Sequence, residues 1–266
     1  MQLTPPPAAA PTSVAALLAA MSRSPRPALT QYTADAAPST SASSPGSASP
    51  SVSPDGAPSS PAPSPGPASP SASPDGAAST SASSPMRVEL SGKVIAQWAY
   101  KCANLLWEEG YAEGDVLTLD VAPSWRAVPW ALGAWLQGLT LSTLPAGGAV
   151  TVTDRPEEAE GDLVVALTPD PLALSWEGDL PAGVLDGAAD VAGQADLPLG
   201  PVEPGGSSVA LADAGIRFED LFEVVGVGSA GRVLVEPTST WDLVRRAVAA
   251  WRAGGAVVVV DGLEGA

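Results

Sequence analysis

The chain has 266 residues, 45% of them apolar, enough for one large domain or two small ones with a core. Its 12 basic and 29 acidic residues give a formal charge of −17, a field that repels phosphate backbones and anionic lipid; neither nucleic acid nor a membrane surface is an expected partner. With no histidine and a single cysteine, Cys102, the chain lacks the means for an intrachain disulfide, a multi-cysteine metal site or a histidine base.

In PTSVAALLAAMSRSP, the spacing of Val14, Leu17, Leu18 and Met21 predicts a short helix capped by Thr12 or Ser13. The apolar run is well below the roughly 20 residues that a membrane helix needs. No basic residue precedes it, which makes it a poor secretory signal, and cytoplasmic residence is the expectation. The stretches ALTQYT (28–33) and MRVEL (86–90) both alternate as half-buried strands.

Between them, residues 35–85 consist mainly of Pro, Ser, Ala and Gly, with no Lys, Arg or aromatic residue. The tract repeats with a period of 20 from Asp35, Asp55 and Asp75. A solenoid of that period must bury an apolar stripe, and the only apolar side chain here larger than Ala or Pro is Val52. The composition therefore predicts disorder with transient polyproline II. The two flanking strands predict a β-hairpin whose turn has been expanded by tandem duplication. Lengthening a flexible loop fivefold costs only about 1.4 kcal/mol. The expected organisation is the start of an α/β domain at 1–34, a disordered insertion at 35–85 and the main domain at 86–266.

From Ser91 the pattern becomes α/β. Ser91 caps a predicted helix to about Glu109, with Ile95, Trp98, Cys102, Leu105 and Leu106 on its apolar side and Gln97, Lys101, Asn104 and Glu108 on its polar side. Gly110 ends it, and Gly114-Asp115 turns into the strand VLTLDV. A second helix, SWRAVPWALGAWLQG, places Trp125, Val128, Leu132, Trp135 and Leu136 on one face; Pro129 predicts a kink or a later start. Strands are predicted at LTLSTL, 149–153, 162–168, 207–212 and 256–260. A last helix starts at the capping-box-like Ser239-Thr240-Trp241-Asp242 and ends at Gly254-Gly255. The stretch 169–206 reads as irregular connection. Strands alternating with amphipathic helices indicate a mostly parallel sheet with helices on both faces.

Residues 86–144 resemble the N-terminal lobe of the adenylate-forming superfamily, the acyl-CoA synthetase and AMP-binding enzymes. The resemblance rests on Val88-Glu89-Leu90, Ala103-Asn104-Leu105-Leu106, Gly110, Gly114-Asp115-Val116, Pro123 and Ala134-Trp135-Leu136-Gln137-Gly138, in the family's order. Residues 28–33 and 232–262 fit it more weakly, and "VELSG" through "W-x-x-K-x-A-N-L-L" is similar to a small actinobacterial group of shortened relatives. The resemblance implies a Rossmann-like α/β fold. It implies ATP, AMP or CoA as ligands, which no residue here calls for by itself.

The phosphate loop that the resemblance implies is rich in Ser, Thr and Gly and ends in lysine. The corresponding run here is Pro204-Gly205-Gly206-Ser207-Ser208, and no lysine follows Lys101. The C-terminal lysine, the aromatic/Thr-Glu segment and the ribose-binding aspartate motif of the family have no counterpart in these residues. Gly205, Gly206, Ser207 and Ser208 are thus the candidate ligand-binding residues, with an ordinary turn as the competing reading. Neither catalytic residues nor metal ligands are assigned. Glu157, Glu158, Glu160 and Asp162 read as a solvated face, and Arg126, Arg245 and Arg246 are the arginines that could grip an anion. Five tryptophans between 98 and 135 suggest packing, or an interface with a protein partner or a second copy. The functional expectation is a catalytically incomplete binding or interaction domain; the alternatives are a residual acyl- or adenine-nucleotide-binding enzyme and a remnant without selected activity.

Overall fold

The computed structural model describes residues 9–33, 86–145, 147–200 and 204–261. The repeat tract expected at 35–85 lies outside the described residues. The segments on its two sides belong to one compact unit. Ser13, with extended backbone, accepts the Ala16 N–H at 3.2 Å and starts helix α1 (Val14–Met21). Its buried residues are Val14, Leu17, Leu18 and Met21, the four that the spacing selects.

Strands β1 (Pro27–Thr33) and β2 (Met86–Ser91) pair antiparallel, with Leu29 opposite Leu90 and Thr33 opposite Met86. β1 is not half-buried as its alternation predicts. Ala28, Leu29, Thr30 and Gln31 are all buried because β1 is an interior strand, flanked on its other side by the last strand of the chain.

Helix α2 (Gly92–Glu108) starts at Ser91, whose hydroxyl accepts the Val94 N–H at 3.3 Å. Gly110 and Gly114, both at positive φ, lead into β3 (Val116–Asp120). Helix α3 runs from Ala127 to Leu136, so its start is the later of the two expected outcomes. Pro129 then falls in the first turn, where an amide has no helical partner to lose. All ten residues of α3 are buried, so the helix has no exposed face.

The chain continues through β4 (Thr140–Ser142), β5 (Val150–Thr153), β6 (Leu163–Ala166), β7 (Leu185–Asp186) and α4 (Ala189–Ala192). It then forms β8 (Val209–Leu211), β9 (Ile216–Arg217), α5 (Phe218–Val225), β10 (Arg232–Val235), α6 (Thr240–Arg252) and β11 (Ala256–Asp261). Ser239 caps α6 by accepting the Asp242 N–H at 3.1 Å, and Gly254 at φ 73 follows its end.

The mostly parallel architecture is divided between two sheets. One has the order β10-β11-β1-β2 and the other β7-β6-β5-β3-β4-β8-β9; only β2 and β9 run antiparallel to their neighbours. Short contacts tie the sheets together. The Trp125 N–H donates to Gln31 Oε1 at 2.7 Å and the Thr240 hydroxyl to the Val121 carbonyl at 2.7 Å; Trp251 Nε1 fastens α6 to β1 of the first sheet by donating to the Ala28 carbonyl at 2.9 Å. α2 and α3 approach closely at Gly133, where an added Cβ would lie 2.8 Å from the Cys102 Cβ and 2.9 Å from the Ala99 carbonyl oxygen. No described helix is long and apolar enough to cross a membrane.

Candidate functional site

The run Pro204–Ser208 is a turn between the 192–200 segment and β8. The Ser208 N–H donates to the Gly205 carbonyl at 3.0 Å, and the Phe218 and Glu219 N–H groups donate to Ser208 and Gly206 carbonyls at 3.0 and 2.9 Å, fastening the turn to the start of α5. A carboxylate of the chain itself faces the turn. Glu113 Oε1 accepts the Gly205 N–H at 3.1 Å and the Ser208 hydroxyl in a short hydrogen bond. These two donors, the hydroxyl first, hold the Glu113 carboxyl below the usual carboxylate range. Glu113 is presented by a tight turn in which Asp115 Oδ2 accepts the Ala112 N–H at 2.9 Å. Ser207 is exposed. Of the four candidates, Gly205 and Ser208 thus converge on Glu113. Sequence reasoning did not single out Glu113, and nothing in the local sequence distinguishes it from other surface glutamates.

The predicted polar side of α2 is an anchoring surface. Asn104 is fully buried: its Nδ2 donates to the Ala195 and Leu197 carbonyls at 2.9 Å each, and its Oδ1 accepts the Leu199 N–H at 2.9 Å. Lys101 donates to the Ala192 and Gln194 carbonyls and pairs with Asp196 at 3.0 Å; Gln97 donates to Asp196 at 3.0 Å, and Gln194 to Glu108 at 2.8 Å. Four polar residues on successive turns therefore grip the 192–199 segment.

The three arginines that the sequence offers for an anion are committed within the fold. Arg126 is buried, stacks 4.7 Å from the Trp125 ring centre, and donates to the carbonyls of Asp170, Pro171 and Ala173. Burial lowers its pKa, against the opposing field of Asp170 and Asp186. Arg245 and Arg246 both bond Asp242 Oδ1, at 3.1 and 2.8 Å. Ligands of open α/β sheets lie outside the carboxyl ends of the strands where the connections diverge. Here that position falls between β3 and β5, and the Arg155 guanidinium already binds both Asp120 oxygens there, at 3.0 and 2.9 Å. Glu157, Glu158, Glu160 and Asp162 are exposed, and the described residues contain no acidic or sulfur cluster arranged around a metal position.

Cys102 is buried between α2 and α3, and burial raises its thiol pKa far above the usual range, which keeps it protonated and inert. The tryptophans divide by environment. Trp125, Trp130 and Trp135 are core, and Trp98 meets Trp125 edge-on at 5.9 Å. Trp107 is the exposed one, at 45%; its ring lies against Gly200, where an added Cβ would stand 2.9 Å from it.

This fold resembles that of the N-terminal part of adenylate-forming enzymes, the resemblance that the motifs between 86 and 144 carry. The acyl-CoA synthetase of Brucella canis superposes over 66% of this chain and 38% of its own, with a TM-score of 0.52 and 19% identity. Coronafacic acid ligase from Pectobacterium brasiliense superposes over 66% of this chain and 41% of its own, with a TM-score of 0.53 and 9% identity. At such identities the likeness shows the fold alone, and this chain spans well under half the length of either protein. No protein-family model and no curated protein matches the sequence.

Proposed function

We propose that this chain is a binding or interaction domain that carries the adenylate-forming fold without adenylation chemistry. The observation that supports this reading is the Glu113 carboxylate at the 204–208 turn. A phosphate group needs backbone N–H donors and a compensating positive charge. Here the Gly205 and Ser208 donors are directed to a fixed negative charge, and the stretch 204–217 that carries the turn contains no lysine. Lys101 is itself committed to the 192–196 backbone and Asp196. Trp107 is exposed and lies against Gly200, and Leu197 and Leu199 are exposed on the same 192–200 segment; exposed apolar side chains of this kind mark contact with another protein or a second copy.

Calorimetric titration of the full chain with ATP, AMP and acyl-CoA at physiological salt tests the proposal, together with pyrophosphate exchange in the presence of carboxylic acids. The expected result is no exchange and no binding at the 204–208 turn. Micromolar binding of any of the three with amide shifts at Gly205, Gly206 and Ser208, or measurable exchange, replaces this reading with that of a residual nucleotide- or acyl-binding enzyme.

A further inference from the structure

A cleft of about 490 Å³ opens at the amino ends of β1, β10 and β11, at the opposite end of these parallel strands from the position where ligands of α/β sheets ordinarily lie. None of the 204–208 turn lines it. Its walls are largely small or apolar, formed by Met21, Pro27, Ala28 and Trp251 together with Gly231 and Gly255; Ser24 adds a hydroxyl, and its charged lining residues are Arg26 and Arg232. No carboxylate of the described residues lines it, although acidic residues outnumber basic ones 29 to 12 in this chain.

The surrounding charge is equally uneven. Elsewhere most basic side chains are engaged: Arg87, Lys101, Arg155, Arg245 and Arg246 pair closely with carboxylates, Arg126 and Arg252 donate to backbone carbonyls, and Arg217 reaches only Glu219, at 3.9 Å. Among the described residues, the exposed cations with no described carboxylate within 4.0 Å are Arg23, Arg26 and Lys93; Arg26 lines the cleft, and Arg23 and Lys93 are next in sequence to its lining residues Ser24 and Gly92. The Gly92 N–H donates to the Arg26 carbonyl at 3.2 Å, and the Lys93 N–H to the Ser24 carbonyl at 3.0 Å. Arg232 reaches only Glu89, at 3.9 Å, and stays 61% exposed. Such a long exposed pair contributes little and leaves the guanidinium available.

We propose that this cleft binds a small organic anion, a phosphate monoester or carboxylate whose apolar body rests on Met21, Ala28 and Trp251 while Arg26 and Arg232 hold its head group. The volume lies in the range of small-molecule sites. Guanidinium groups fit both head groups in bidentate fashion. A polyanion or a lipid surface is disfavoured because either would extend over the strongly acidic remainder of the chain, whereas a small anion feels chiefly the charges within one screening length, about 8 Å at physiological salt.

The test is a titration of the full-length chain with phenyl phosphate and, separately, benzoate, followed by the amide resonances of Gly231, Gly254 and Gly255 and the Trp251 indole N–H. Benzyl alcohol is the neutral control. Saturable shifts at these four positions with at least one of the anions and none with benzyl alcohol are expected; the tighter anion identifies the head group. Arg26→Gln/Arg232→Gln is expected to weaken binding at least tenfold, and Ala20→Trp, on the exposed side of α1, to abolish it by filling the cleft while the melting temperature is retained. Absence of shifts with both anions, or equal affinity in the double-glutamine variant, overturns the assignment.

Discussion

Asn104 and Leu199 lie 95 residues apart, and the Leu199 N–H donates to Asn104 Oδ1 at 2.9 Å. The same amide donates to the carbonyls of Ala195 and Leu197. One buried side chain thus satisfies three backbone groups of a segment that has almost no secondary structure of its own. A buried polar group left without its partner costs about 1–3 kcal/mol.

Asn104→Ala is therefore expected to lower unfolding stability by about 2–4 kcal/mol on that scale. It should also make the 192–199 segment more susceptible to protease. Asn104→Asp should be no better, because a carboxylate would face two carbonyl oxygens. Urea denaturation and limited proteolysis measure both effects; wild-type stability in Asn104→Ala would mean that the segment is held mainly by Lys101 and Gln97.

Gly133 gives a second prediction, which depends on packing alone. A methyl group there would contact Cys102 and the α2 backbone at under 3.0 Å, closer than side-chain adjustment can relieve. Gly133→Ala should cost about 1–3 kcal/mol by overpacking, despite the better helix propensity of alanine. A thermal unfolding midpoint equal to or above that of wild type would show that the two helices can separate freely.

The elements legible in the sequence are those specified locally. Ser13, Ser91 and Ser239 each cap a helix where the polar residue precedes an apolar periodicity, and Val150–Thr153 and Ala256–Asp261 are β-rich runs between turns. β7 and β9, two residues each, are too short to leave a periodic signal, and they form by completing ladders that β6 and β8 begin. Both sides of α2 were readable, but the segment that its polar side holds was not. A 3.6-residue pattern shows that Asn104 and Lys101 share a face, and it contains no information about a backbone segment that arrives 90 residues later. At the candidate site, the glycine and serine run was visible while its Glu113 partner was hidden for the same reason.

The Glu113 carboxyl should titrate below an ordinary glutamate, because Ser208 and Gly205 donate to its charged form. A depressed folded-state pKa contributes stability above the unfolded value, and that contribution is lost as pH falls through the lower folded value. Carbon-detected NMR titration should therefore show a depressed midpoint for Glu113. Ser208→Ala, which removes the leading donor, should move it back up. A midpoint at or above the usual glutamate value, or one indifferent to Ser208→Ala, would show that the turn does not hold the carboxylate in solution.

Arg126 tests whether the family-like scaffold has reassigned its cations to structure. Its guanidinium lies against Trp125 and spreads its donors over three carbonyls of the 170–173 loop, an arrangement that a lysine, with one compact ammonium, cannot reproduce. Hydrogen bonds to a charged group are worth about 1.5–3 kcal/mol each, and they are not additive when they share one donor group. Arg126→Lys is accordingly expected to lower stability by about 2–3 kcal/mol. Hydrogen exchange should accelerate at the Leu172 amide, which donates to Asp170 Oδ1 at 2.8 Å in the folded loop. If Arg126 instead served an anionic ligand, Arg126→Lys would leave stability and exchange unchanged in the free protein and alter only ligand affinity.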